Sequence, residues 1–507
     1  MTNSWLTEAQ PIWGNVADVI GSRKDLKVEE PALSWQRQWP RWQLIEALLQ
    51  GTYGMQQAGR SWLPQEPLEE NESYAIRLSN STLTPYYINM EAMLAGMLTR
   101  KPIRLENVSD TITEHLYDAD LQGNNLDRLI HDFARTKLLR YGLAGILVDY
   151  PVADDGSQDL NRPYWIAYGA PDIIGGRFDV VGGSMQLTQL RLHERITIPY
   201  GDFGEEVASQ IRVLEPGRWR IYRRTHETGG NFKLLPDGKG EGTTTLDRIP
   251  FSPCYTQKLG ELEARPPLEE IAWLNLKDYR RESDFANQLH VAALPLKFGF
   301  GFPSDMSEVA GGPDTLIGAP ADARVQMLES SGSSYQWQMQ HLERIEKQIN
   351  HLGVATILGQ KMVAETEASK AIDRSQGDAS LQQIAQAMQD CIDNCLRFHA
   401  AYLSETQPGN CLISRNFVSA KLDSQQVSTI LSGYNSAKPL YTQETALRML
   451  NDGEWLPADF DVEEEILATE ALAEQRIQEA QDAMNGAARA LPGVTATDQQ
   501  RPDSEAS

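Results

Sequence analysis

The sequence predicts an α+β chain, and three observations carry that class. Apolar residues recur at helical spacing through the first 140 residues and again from Pro267 onward. Between about Gly145 and Thr256 the pattern changes to short runs of β-branched and aromatic residues, separated by Gly, Pro, Asp and Asn. At 507 residues the chain exceeds one ordinary core, and an apolar content of 41% supports several well-buried regions.

In the N-terminal part, Trp42, Ile45, Leu48 and Leu49 form one helix face ahead of Gly51. Tyr86–Arg100 carries Met90, Met93, Leu94, Met97 and Leu98 and ends at Lys101-Pro102, with Gly96 permitting close approach of another backbone. Leu126, Leu129, Ile130, Phe133, Leu138 and Tyr141 mark a further helix stopped by Gly142. Strands are expected at Ile146–Tyr150, Tyr164–Tyr168, Leu187–Ile198, Ile211–Leu214 and Trp219–Tyr222. Leu190, Leu192, Glu194 and Ile196 alternate with Arg191, His193, Arg195 and Thr197, a period of two with one polar exception. Gly229-Gly230 and Asp237-Gly238 read as hairpin turns, so the sheet is expected to be antiparallel.

From Pro267 the pattern is helical again, with Glu269 and Glu270 at the positive helix start. Leu268, Ile271, Leu274, Tyr279, Phe285 and Leu289 give a loose apolar stripe up to Ala292. The Gly- and Pro-rich stretch Ala293–Ser334 holds two strand-like pieces, Leu296–Phe300 and Arg324–Leu328. A second helix carries Leu342, Ile345, Ile349 and Leu352, a narrow seam, and is expected to end at Gly353. After a Gly-bounded patch, Val354–Thr366, a long helix presents Leu381, Ile384, Met388, Ile392, Cys395, Leu396, His399 and Tyr402 on one face. Pro408-Gly409 stops it, and Cys411–Val418 reads as a strand. Two short helices follow, capped by Asp423 and Thr442 and ended by Gly433 and Gly453, and an acidic helix begins at Glu463. Pro492–Ser507 has almost no large apolar groups and is expected to be disordered.

The balance of charge is acidic, with 70 Asp plus Glu against 46 Lys plus Arg, or −24. A protein that coats nucleic acid non-specifically needs the opposite sign. An acidic wall past which DNA slides is compatible with it. Four cysteines, Cys254, Cys391, Cys395 and Cys411, fit a reducing compartment. The N-terminus lacks a basic then apolar leader, and no apolar run approaches the ~20 residues of a membrane helix, so no membrane partner is expected.

Motifs of catalysis are missing. No phosphate loop is present, which argues against a packaging motor ATPase. Gly238, Gly240 and Gly242 precede no helix and read as a turn. Cys391 and Cys395 are one helical turn apart, but nothing nearby completes a metal set, so they read as core thiols. The adjacent acids Asp154-Asp155 and Glu205-Glu206 point apart rather than forming an acid/base pair. Trp5, Trp13, Trp35, Trp39, Trp42 and Trp62 read as packing or inter-subunit contacts. No catalytic residue, cofactor or metal is assigned, and the chain is expected not to be an enzyme. A carbohydrate-active multidomain enzyme and a neck or baseplate structural protein stand as alternatives.

Five stretches together resemble bacteriophage portal proteins, specifically a family of unknown-function domains assigned to portals. They are Tyr86–Pro102, Leu138–Pro151, Arg248–Thr256, Pro266–Pro295 and Glu365–Ile392, within a likeness spanning roughly Trp42 to Leu472. The resemblance implies a portal-type fold. Residues 1–265 would be the wing, 266–292 the first stem helix, 293–334 the clip and 335–353 the second stem helix. Residues 354–366 would be the tunnel loop, 367–421 the long wing helix and strand, 422–490 a helical crown and 491–507 a disordered tail. It further implies a head-tail connector: a homo-oligomeric ring of twelve at the capsid vertex, through which double-stranded DNA is packaged and ejected. The implied partners are the terminase motor, neck or adaptor proteins and the capsid protein. The implied location is the virion, with the host cytoplasm during assembly. A ring of twelve such chains carries about −290. Lys297, Arg324, Arg344, Lys347 and Lys361 are the expected phosphate contacts, with Gly359, Gln360, Lys361 and Met362 in the tunnel loop.

Overall fold

The computed structural model describes residues 27–151, 162–225, 229–236, 239–292, 296–300, 324–328, 333–358, 367–415, 417, 424–435, 438–453, 455–457, 460 and 462–489. Helix and sheet are both present, so the class is α+β. The described residues fall into two units, divided between Phe417 and Val418.

The first unit opens with helices α1 (Leu33–Leu49), α2 (Gly51–Ala58), α3 (Asn71–Asn80) and α4 (Tyr86–Leu98), then strand β1 (Arg104–Glu106). Next come α5 (Asp110–Leu116), α6 (Leu126–Phe133) and α7 (Leu139–Tyr141), the last two joined by a π-helical turn, Ala134–Leu138. Ser109 caps α5 and Asn125 caps α6 through their side-chain oxygens. Gly142 ends this run at φ +76°, and a Cβ there would lie 2.4 Å from the carbonyl oxygen of Arg265, so only glycine fits.

The β region follows: β2 (Leu143–Asp149), β3 (Tyr164–Gly169), β4 (Ile173–Val181), β5 (Ser184–Tyr200), β6 (Gly204–Glu215) and β7 (Arg218–Arg224). Shorter pieces complete it: β8 (Lys233–Leu234), β9 (Glu241–Thr243), β10 (Phe251–Tyr255), β11 (Lys258–Gly260) and β12 (Glu263–Ala264). All pairings are antiparallel. One sheet has the order β10-β2-β3, and a larger one runs β4-β5-β6-β7-β8 with β9 on β7. The turn at Gly229-Gly230 has positive φ at both glycines, while Asp237-Gly238 lies outside the described residues. The alternation of β2 divides the interior. Ala144, Ile146 and Val148 face the main core, and Leu143 and Leu147 face a second core with Trp35, Trp42, Leu190, Leu192 and Phe251. In that second core the rings of Trp35 and Trp39 stack at 4.8 Å, and Trp42 meets Tyr141 edge-on at 6.1 Å. Trp5 and Trp13 lie outside the described residues.

The chain then forms α8 (Glu269–Ala292), the ribbon β13 (Leu296–Phe300) and β14 (Arg324–Leu328), α9 (Ser333–Leu358), α10 (Glu367–Leu403) and β15 (Asn410–Leu412). β15 pairs with β1; of the strand expected over Cys411–Val418 only Cys411 and Leu412 are in it, Ile413–Arg415 are not strand, and Asn416 and Val418 lie outside the described residues. All four cysteines are buried thiols; Cys391 on α10 donates from Sγ to the Ser252 carbonyl at 3.3 Å.

One boundary is corrected. Gly353 does not end the second of the paired helices: α9 continues through Val354 to Leu358, and begins at Ser333 inside the stretch expected to be the clip. Gly353 is buried, and a Cβ there would lie 1.9 Å from Met90 Cε on α4. The glycine is there so that two helices can approach, which a sequence pattern does not separate from a stop signal.

The second unit holds α11 (Ser424–Tyr434), α12 (Gln443–Asp452) and α13 (Val462–Arg489). Thr442 caps α12, its Oγ1 accepting the Thr445 N–H at 3.3 Å. Val427, Ala446, Leu450 and Val462 form its buried contacts. Helix α11 passes Gly433 by one residue, and Asp423 lies outside the described residues, as does 490–507. Among the described residues no helix is long and apolar enough to cross a membrane.

Candidate functional site

The antiparallel pair α8 and α9 joined by the β13–β14 ribbon holds four of the basic residues singled out from sequence. Its construction begins with α8, which is buried on one face and wet on the other. Leu268, Ile271, Ala272, Leu276 and Tyr279 enter the main core. Polar clamps fix the helix lengthwise. Asn275 accepts the backbone N–H of Tyr87 at 3.1 Å and donates to the Thr84 carbonyl at 2.9 Å. Arg280 Nε donates to the Trp62 carbonyl at 2.7 Å, and Ser81 Oγ donates to Ser283 Oγ at 2.7 Å. Beside Ser283, the buried guanidinium of Arg77 is held by Glu69 at 2.7 Å. That partner lowers the Glu69 carboxyl below its ordinary value.

Helix α9 packs along α8. Ile345 and Ile349 are fully buried and make the seam, while Leu342 is half-buried and Leu352 exposed. Phe285 meets Tyr335 edge-on at 6.4 Å, and Gln338 donates to Gln288 at 2.6 Å. Asp278, buried beside Glu282 and Glu346, is pushed up to about 6, first by burial and then by those two carboxylates.

The wet face is basic. Lys277 and Arg281 are exposed one turn apart on α8, and His341 and Arg344 lie on α9. His341 is held below its ordinary value by desolvation and then by Lys277, Arg281 and Arg344, which places the three cations around one neutral ring. Arg281 pairs with Asp284 at 3.4 Å; among the described residues Lys277 and Arg344 have no ion pair. Next to this strip lies an open groove of about 800 Å³, lined by Leu68, Arg77, Arg281, Asp284, Trp337 and His341. Trp337 is 74% exposed and Leu68 97%.

Of the residues expected from sequence, Arg344 stands in this strip. Lys347 is exposed one turn on and pairs with Glu343 at 3.7 Å. Lys297 pairs across the ribbon with Met327, and Arg324 with Phe300. Gly359, Gln360, Lys361 and Met362 lie outside the described residues. Lys277, Arg281 and His341 are additions. The i, i+4 spacing of Lys277 and Arg281 on the polar side of α8 was visible, but not their approach to His341 and Arg344 across 60 or more residues of chain.

Elsewhere, Asp149 and Glu194 come together, yet both engage the buried Arg212 and two tyrosines, Tyr164 and Tyr168. Glu205 and Glu206 sit on β6, whose pairing with β5 places them opposite Pro199 and Ile198. Asp154-Asp155 lies outside the described residues. Among the described residues no group of three His, Cys, Asp or Glu is placed to hold a metal.

Residues 267–403, which comprise α8, the ribbon, α9 and α10, match the family model "Domain of unknown function (DUF4055)". A comparison with curated proteins finds no match. Among solved structures, the chain is similar to one in the neck of an empty gene transfer agent (GTA) particle, with 11% identity, 81% of this chain and 99% of that chain covered, and a TM-score of 0.40. A chain of the native GTA virion gives 10% identity, 79% and 98% coverage and a TM-score of 0.39. A chain of the native GTA neck, computed with C12 symmetry, gives 10%, 79%, 98% and 0.36. Superpositions this loose establish no common geometry.

Proposed function

We propose that the chain is a phage portal subunit: a ring-forming virion protein whose α8–ribbon–α9 segment walls a channel for double-stranded DNA. One observation carries the reading. On a chain of net charge −24, the α8–α9 pair is anchored along one side and shows a basic strip on the other, in which Arg281 pairs with Asp284 while, among the described residues, Lys277 and Arg344 have no ion pair. An acidic wall repels the duplex, and a few cations interrupting it give weak phosphate contacts that guide without holding. The wing, clip, crown and twelvefold ring belong to the same proposal, as do the motor, neck and capsid partners. So does a role without chemistry for any residue. A ring also needs inter-subunit surface. Exposed Trp273, Trp337, Met339 and Leu68 are available for it.

The mass of the purified chain in solution tests the reading. The expected result is a discrete species of about twelve chains. A monomer or dimer at every salt and protein concentration would overturn it.

A further inference from the structure

We propose that His115, His399 and Trp165 form an acid-sensitive latch that holds α10 against α5 and β3 at neutral pH and releases it in acid. The three side chains make a hydrogen-bonded chain between parts of the sequence up to 284 residues apart. Trp165 Nε1 donates to His399 Nδ1 at 3.2 Å, and His399 Nε2 lies 3.0 Å from His115 Nδ1. Trp165 is fully buried and His399 is 1% exposed.

Donor logic fixes the protons. An indole N–H only donates, so His399 Nδ1 must be bare. A neutral His399 then carries its proton on Nε2 and donates it to His115, whose Nδ1 must also be bare. A proton added to His399 lands on Nδ1 and confronts the indole N–H. A proton added to His115 lands on Nδ1 and confronts the His399 N–H. Neither imidazole takes up a proton without breaking a link of the chain.

The surroundings oppose charge as well. Arg162 donates to the His115 carbonyl at 2.8 Å and to Asp118 at 2.9 Å, fixing its cation beside both rings. Glu114 and Glu405 pull the other way at His115. Tyr402, on the same helix as His399, is neutral in this range. Burial, then His115 and Arg162, push His399 down to about 3. Burial and then Arg162 lower His115. The sign follows. These histidines bind protons near pH 6.5 when unfolded and stay neutral when folded, so stability is intact above that value and falls as pH drops below it. Each histidine held neutral costs about a tenfold loss in the folding equilibrium per pH unit.

Two measurements test the latch. In histidine-labelled NMR, the two imidazoles in contact with each other, one of them also in contact with the Trp165 indole, should both remain neutral at pH 5.5. Protonation of either one at that pH would overturn the proposal. Denaturant unfolding of the full chain from pH 8 to 5 should show a shallower pH dependence for His399→Asn, which keeps an acceptor for the indole but cannot titrate. Trp165→Phe, which removes the confronting N–H, should also flatten it. Unchanged pH dependence in both folded variants would overturn the proposal. If neither variant folds, the neutral histidines of the unaltered chain decide it.

Discussion

Asn275 on α8 accepts the backbone N–H of Tyr87 at the start of α4 at 3.1 Å, across 188 residues of sequence. Both residues are fully buried, and the same amide donates to the Thr84 carbonyl. The α8–α9 pair therefore rests on a polar clamp as well as an apolar face. Removing it leaves the buried Tyr87 N–H without its partner, which is expensive, whereas the carbonyl of the exposed Thr84 still accepts the Tyr86 N–H at 2.9 Å. Asn275→Ala is expected to destabilise the first unit by about 1–3 kcal/mol in chemical denaturation.

Gly353 predicts a specific rescue. Gly353→Val places methyl groups where Met90 now sits and should cost about 1–3 kcal/mol by overpacking. Met90→Ala should recover part of that cost in the double variant. Purely additive losses in the unfolding free energies would show that the two residues do not share the space.

Asp278 predicts a pH effect of known sign. Its carboxyl is raised from about 3.8 to about 6 by burial and by Glu282 and Glu346. The folded chain keeps a proton that the unfolded chain loses, so this group's contribution is favourable in acid and is lost as pH rises through that window. Asp278→Asn should be more stable than the unaltered chain at pH 7.5, by about 1–2 kcal/mol, and the gain should vanish near pH 4. Unfolding curves at the two pH values check it.

The basic strip predicts a change of function without a change of fold. Lys277→Glu with Arg344→Glu alters exposed groups that carry no structural ion pair. Stability should move by no more than about 0.5 kcal/mol. Assembled particles should package or retain less DNA, with a weaker dependence on salt. Unchanged DNA content in particles bearing both substitutions would detach the strip from the channel.

Much of this arrangement was legible in the residues. Ile345 and Ile349 marked the buried seam of α9, and Leu268, Ile271 and Tyr279 the buried stripe of α8, because both follow the helical period. Thr442 declared its cap. What stayed hidden depends on partners distant in sequence. Gly353 looked like a stop because its reason lies in Met90. His399 looked like one more apolar-face residue because His115 and Trp165 arrive from other elements. Arg344 was singled out without Lys277 and Arg281, since only the packing of α8 on α9 brings the three together.

A three-dimensional image of the assembled particle's portal vertex, resolved to the level of helices, tests the central claim most directly. The account predicts a closed ring of about twelve copies with α8 and α9 lining a channel wide enough for a duplex, and Lys277 and Arg344 facing it. A ring in which that helix pair lies on the outside, or a particle in which the chain forms no ring, would contradict it.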